Sequence, residues 1–237
     1  MSAKLVGEEK ERYVNRLFAS IAPKYDLLNS VISLGNHKRW RRLAVAMSGV
    51  SSGGTALDVA TGTGDFAIDL AGAVGETGRV VGVDFCLPML DLAAQKTSGL
   101  GNISLVAANA ECLPFDSDSF DCTTIGFALR NVGNVRSVVS EMARVTKPGG
   151  RVVSLEILGP ESRVMKALWR LYFSRLMPCV AGMLGAKKEP YEYLPKSVER
   201  FCSRNELADI FRQCGMRDVS IRGLMFGIVC IHVGTKI

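Results

Sequence analysis

Through its middle third the chain repeatedly alternates short runs of branched apolar residues with helical patterns, and few folds accept that order. "TALDVA" reads as a strand followed by the helix "DFAIDLAGAV", and "GRVVGVDF" as a strand followed by "LPMLDLAAQKT". "ISLVAANA" and "FDCTTIGF" supply two more strands, and the helix "VRSVVSEMARVT" leads into a fifth, "GGRVVSLEIL". Strand-then-helix repetition with short connections predicts parallel strands in a doubly wound α/β sheet. In "TKPGG", Pro148 cannot continue a helix and Gly149 and Gly150 free the backbone before the next strand. "DVSIRGL" and "GIVCIHVGTK" read as a terminal hairpin. The expectation is a mostly parallel, seven-stranded, Rossmann-like sheet with one antiparallel strand near the C-terminus.

With 237 residues, 48% of them apolar, the chain has the material for one domain with a full core, spanning residues 1–237. Two regions stand outside the alternation: residues 8–48 look helical, and residues 160–200 form a long insertion between strands five and six. Loops at the carboxyl edge of a parallel sheet shape the ligand site. The first region is therefore expected to cap that site and the second to act as a helical lid over the substrate.

The connection after the first strand, D-V-A-T-G-T-G-D, carries the chemistry. Gly62 and Gly64 let the backbone turn tightly and approach a ligand. "GTGDFA" also fits the dinucleotide fingerprint, with Asp84 twenty residues after Gly64. On the loop alone a nicotinamide dinucleotide remains open. Asp58 and Asp65 flank the glycines, and carboxylates there would oppose a pyrophosphate. They would suit a cationic ligand with an amino group, and S-adenosylmethionine carries a sulfonium, an ammonium and a diol without a phosphate. Asp84 ends the second strand where an adenosine ribose would lie, and Asn109 and Ala110 end the third, beside the adenine.

Here the sequence resembles class I S-adenosylmethionine-dependent methyltransferases, and more narrowly the ubiquinone/menaquinone biosynthesis C-methyltransferase family. The resemblance runs from about Tyr13 to Lys236 and rests on "IAPKYDLLNSVISLGNHKRWRR", "LDVATGTGDFAIDLA", "NAECLPFDSDSFD", "TIGFALRNV", "EMARVTKPGGRVVSLE", "PYEYLPKSVERF" and "GIVCIHVGTK". It implies cofactor contacts at Thr63, Asp84, Asn109 and Ala110, joined by Asp58, Gly62 and Gly64 of the loop. Gly126 stands where ubiquinone-branch members often have a serine, so "TIGF" looks more like the menaquinone branch. The chain departs from the family pattern at Ala128, where glycine is usual, and at Cys202, where proline is usual.

The implied reaction methylates a ring carbon of a polyprenylated quinol, demethylmenaquinol to menaquinol. Arg130 and Asn131 would face the substrate, Arg130 stabilising a developing phenolate and Asn131 orienting it or a water. Tyr25 and His37 in the N-terminal block are further candidates, although a lone histidine in "GNHKRW" is more often a structural hydrogen-bonder. The implied cofactor is S-adenosylmethionine, with no metal. Seven scattered cysteines without a C-x-x-C pair, and only two histidines, speak against a disulfide framework or a metal site.

The net charge of +6 permits contact with an acidic surface. Without an aromatic platform or a clustered basic stripe, nucleic acid is not an expected partner. In "SRVMKALWRLYFSRLMP", helical spacing puts Arg163, Lys166 and Arg170 on one face, which suits either a core-packing helix or a lid resting on anionic lipid. The expected location is the cytoplasm or the inner face of the cytoplasmic membrane, and a homodimer is compatible with the chain. Two competing readings keep an enzyme but change its substrate: a methyltransferase for another apolar small molecule, and an NAD-dependent oxidoreductase.

Overall fold

In a computed structural model, residues 7–160, 162–172 and 189–237 are described. Seven strands form one sheet in the order β3-β2-β1-β4-β5-β7-β6. They are β1 (Thr55–Val59), β2 (Arg79–Asp84), β3 (Ile103–Ala107), β4 (Phe120–Gly126), β5 (Thr146–Ile157), β6 (Met216–Leu224) and β7 (Val229–Lys236). The first five run parallel, with Leu57 opposite both Val81 and Thr123, while β7 is antiparallel to β5 and β6. Six strands thus share one direction and β7 opposes them, as the hairpin pattern predicts.

Alternation along the strands fills two cores, because successive side chains point to opposite faces. Ala56, Val80, Cys122 and Val153 meet α3 (His37–Ser48) and α4 (Asp65–Val74) on one face. Leu57, Val83, Ile125 and Val152 meet α6 (Val135–Val145) and the helix Arg204–Gln213 on the other. The helix α5 (Leu87–Thr97) follows β2, with Cys86 and Met89 at its start buried under the N-terminal segment.

"TKPGG" behaves differently from the turn expected of it. Helix α6 ends at Val145, and β5 already begins at Thr146, paired with Phe120. The register then jumps, with Cys122 opposite Arg151, so Lys147–Gly150 bulge out of the ladder. The bulge spares Pro148 the ladder hydrogen bond it cannot donate. It also needs glycine, since a Cβ at Gly150 would sit 2.6 Å from the carbonyl oxygen of Asp121.

Described parts of both regions line the cavities at the carboxyl ends of the strands, while α3 packs on a face of the sheet. The first is helical as expected: α1 (Gly7–Ile21), a 3-10 turn (Ala22–Lys24), α2 (Tyr25–Ile32) and α3. Lys10 on α1 donates from Nζ to the Val132 carbonyl at 2.5 Å, tying this segment to the loop after β4. The second contributes α7 (Arg163–Leu171) and α8 (Glu189–Arg200). Tyr172 Oη donates to the Ile32 carbonyl at 3.1 Å, and Leu194 packs on Leu28, so these two residues of the insertion lie against α2. Lys166 is exposed, whereas the side chains of Arg163 and Arg170 lie outside the described residues.

A two-chambered candidate active site

Two cavities open at the carboxyl ends of β1, β2 and β4 and share three walls, Phe18, Tyr25 and Phe127. The first, about 740 Å³, reaches Gly62, Asp84, Asn109, Ala110 and Gly126. The second, about 780 Å³, is walled by apolar side chains such as Leu17, Leu28, Ile32, Trp40 and Leu194. Both volumes include space open to solvent at the mouths.

Strain marks the boundary. Ala60 and Phe127, just past the ends of the neighbouring strands β1 and β4, have positive φ values of 54° and 58° without being glycine. Such backbone costs on the order of 1–3 kcal/mol and persists only where its surroundings over-determine it. Phe127 is held from several sides. Its N–H donates to the Leu155 carbonyl at 2.7 Å, and its own carbonyl accepts from Arg130 Nη1 at 2.6 Å and from Asn131 Nδ2 at 3.3 Å.

Arg130 and Asn131 are thus engaged with the protein. The Arg130 guanidinium forms a short ion pair with Glu156, whose side chain is fully buried. Its Nε is buried and has no partner among the described residues. Asn131 Oδ1 accepts from Tyr193 Oη at 3.1 Å. Burial pushes the Tyr193 phenol up to about 12 and raises that of Tyr25 as well, so both stay protonated near neutral pH. Tyr25 borders both chambers.

The loop residues take up different positions from one another. Gly62 has φ +56°, lines the first cavity and donates its N–H to Asp84 Oδ2 at 2.8 Å. The other Asp84 oxygen accepts from the Cys86 N–H at 2.8 Å. Burial raises the Asp84 carboxyl, and these backbone bonds oppose the rise. Thr63 turns away from the cavity: its hydroxyl donates to Asp26 Oδ1 at 2.7 Å and accepts from Lys96 at 3.0 Å. Gly64, at φ +84°, caps α4 and faces Ala93, which a Cβ would approach to 3.1 Å, so its smallness serves helix packing.

The acids also divide. Asp65 is neutralised by Lys96 and Arg41, at 2.8 and 3.1 Å, which hold its carboxyl below the usual range. Asp58 lies beneath the loop, accepting from Thr61 and Thr124 hydroxyls at 2.6 and 2.9 Å. Burial pushes it up to about 7. Of the three acids read around the glycines, only Asp84 lines the cavity. Two others complete the set: Glu11 and Glu111 line the same cavity, and no lysine or arginine does so among the described residues. Glu111 directly follows Asn109 and Ala110, and Glu11 shares a face of α1 with Val14 and Phe18, so spacing alone offered both.

The raised Asp58 has a consequence for stability. Its folded value of about 7 lies above the ordinary 3.8, so the protonated form favours folding. That contribution is complete below about pH 4 and disappears as the pH rises through 7. Relative to wild type, Asp58→Asn should therefore gain on the order of 4 kcal/mol between pH 4 and pH 8. Chemical denaturation at the two pH values measures this difference.

Gly126 makes a second specific demand. A Cβ there would lie 2.9 Å from Phe66 Cδ2, a buried ring of α4. Gly126→Ser should cost about 1–3 kcal/mol through overpacking, read as a lower Tm.

This donor set suits S-adenosylmethionine. A carboxylate sits at the end of β2 to meet a diol, a glycine admits close backbone approach, and the acids suit a cationic ligand. A pyrophosphate would meet three carboxylates and, among the described residues, no cation, which disfavours a nicotinamide dinucleotide.

Sheet order and site position define a class I S-adenosylmethionine-dependent methyltransferase fold. A SAM-dependent methyltransferase from Aquifex aeolicus shares it with a TM-score of 0.60 at 21% identity, over 82% of this chain and 88% of that one. Family membership follows from the sequence: the ubiE/COQ5 methyltransferase family matches residues 6–236, and the chain belongs to it. It is 43% identical to a demethylmenaquinone methyltransferase of Shouchella clausii, over 98% of this chain and 99% of the relative. A demethylmenaquinone methyltransferase of Geobacillus kaustophilus is 44% identical, over 97% and 99%.

Proposed function

We propose that the protein transfers a methyl group from S-adenosylmethionine to a ring carbon of a polyprenylated quinol, demethylmenaquinol in particular. The observation that carries this is the pair of cavities meeting at Phe18, Tyr25 and Phe127, one lined by acids and the other apolar. The similarity to demethylmenaquinone methyltransferases over nearly the whole chain supports the substrate, and Gly126 supports the menaquinone branch. Cofactor-binding roles fall to Gly62, Asp84, Asn109, Ala110 and Gly126 at the cavity. Asp58, Thr63 and Gly64 shape the loop from behind it.

When bound, S-adenosylmethionine supplies an electrophilic methyl group. The chain's own residues supply alignment, worth roughly 7–11 kcal/mol when two partners are held in register. They also exclude water, which favours the meeting of phenolate and sulfonium. Arg130 lines the second chamber and sets its positive charge near a quinol oxygen there, Asn131 fixes Phe127 and Tyr193 beside it, and Tyr25 packs between the two ligands. Residues 8–48 act as the cap of this single domain and residues 160–200 as its lid.

The isoprenoid tail leaves along the apolar chamber toward the lid. Helix α7 exposes Val164, Leu168 and Leu171 at 70%, 53% and 56%, a spacing that places them on one face and suits peripheral contact with a membrane surface. Among the described residues no helix is long and apolar enough to cross a membrane.

The test is turnover. Purified protein given methyl-labelled cofactor should label chemically reduced demethylmenaquinone and leave the oxidised quinone, which has no hydroxyl proton to lose, unlabelled. Labelling of neither form would overturn the proposal.

A further inference from the structure

His37 stands at the turn between α2 and α3 and lines the apolar chamber. It is 5% exposed. Its Nδ1 lies 2.7 Å from Ser33 Oγ. Counting protons fixes what that contact is. The Ser33 hydroxyl has one hydrogen, and Oγ lies 2.6 Å from the Asn29 carbonyl, which can only accept. The Ser33 oxygen therefore receives hydrogens, from the His37 backbone N–H at 3.3 Å and from Nδ1–H. A neutral imidazole protonated at Nδ1 keeps its lone pair on Nε2. No described residue bonds that atom.

We infer that His37 Nε2 takes the hydroxyl proton of the quinol, a deduction that rests on the substrate reading above. The proton passes from the hydroxyl beside the acceptor carbon to Nε2, leaving an oxyanion in the chamber that the Arg130 guanidinium also lines, whose positive charge favours it. The ring carbon forms its bond to the methyl as the sulfur–carbon bond breaks, its electron pair staying on sulfur. The proton on the methylated carbon then leaves to water, the ring recovers its aromaticity, and the imidazolium returns its proton to the oxygen. One proton is released per methyl transferred. Histidine ends as it began.

The surroundings keep the ring neutral and ready. Burial lowers its pKa, helped by Arg41 and Lys38 on its own helix and opposed by Asp65 on α4 and Asp26 on α2. Across the chamber the Arg130 cation is paired with Glu156, and Tyr25 and Tyr193 stay uncharged. An imidazolium has no lone pair to offer, so kcat should fall as the pH drops through a value below the ordinary 6.5.

Two readouts decide. The first uses the wild-type protein labelled with nitrogen-15 histidine, whose two histidines give two sets of ring signals. His232 Nε2 faces the Arg204 carbonyl at 2.9 Å and so must carry its proton there. The spectrum should show one imidazole of each tautomer, and two rings both protonated at Nε2 would overturn the inference. The second uses His37→Asn, whose amide nitrogen retains the donation to Ser33 while Nε2 is lost. Its kcat should fall about 10²–10⁴-fold. The acidic limb should vanish, and affinity for S-adenosylhomocysteine should stay within twofold. An equally active wild type and variant would overturn the role of His37 alone; no turnover by the wild type would overturn the quinol reading and this inference with it.

Discussion

Asp84→Ala should weaken S-adenosylhomocysteine binding by roughly 10²–10⁴-fold in a calorimetric titration. The carboxylate is the acid that ends β2 inside the first cavity, and both its oxygens are already oriented by the N–H groups of Gly62 and Cys86. A ribose diol would add two hydrogen bonds to a charged acceptor, each worth about 1.5–3 kcal/mol. At 1.4 kcal/mol per tenfold, two of them give the stated range. The alanine also leaves the Gly62 and Cys86 donors unpaired, so the loop itself should loosen. Asp84→Asn keeps one acceptor and should fall between the two. A Kd for the alanine variant within threefold of wild type would mean that the ribose is not held at this position.

The second large effect concerns stability. Glu156 is fully buried in β5 and accepts from the Arg130 guanidinium, the Arg130 N–H at 3.3 Å and the Ile157 N–H at 2.8 Å. Removing it by Glu156→Ala strands a guanidinium that is 9% exposed. Breaking a buried pair from one side costs about 3–5 kcal/mol. For a chain of this size that corresponds to a Tm lower by roughly 6–20 °C. Replacing both partners, as Arg130→Met with Glu156→Leu, should recover most of the stability and none of the activity, because Arg130 also holds the Phe127 carbonyl between the chambers. Equal Tm loss in the single and double variants would contradict this account of the pair.

The sheet was legible because its pattern has one packing solution. Branched runs such as "TALDV" and "RVVGVD", separated by helices, can bury both faces only in a parallel sheet, and the terminal hairpin showed in its two adjacent runs. The bulge at Lys147–Gly150 was not legible, since Pro-Gly-Gly ends a helix and interrupts a strand with the same residues. Within the site, Gly62, Asp84, Asn109, Ala110 and Gly126 share one wall because strand ends in a parallel sheet converge there. Asp58 and Asp65 were read as facing the ligand, but local spacing does not say which partners arrive from elsewhere. Thr124 comes from β4, Lys96 from α5 and Arg41 from α3.

Glu156 did leave a signal. A carboxylate inside "GGRVVSLEIL" needs a buried cation, and Arg130 is that cation. The role of Ser33 in setting the His37 tautomer depends on rotamers and proton counts that no sequence pattern encodes.

The most direct measurement is a paired titration of the wild-type protein with S-adenosylhomocysteine and with NADH. An acid-lined cavity with no lysine or arginine among its described residues predicts micromolar binding of the first and none of the second. Binding of NADH without S-adenosylhomocysteine would contradict it.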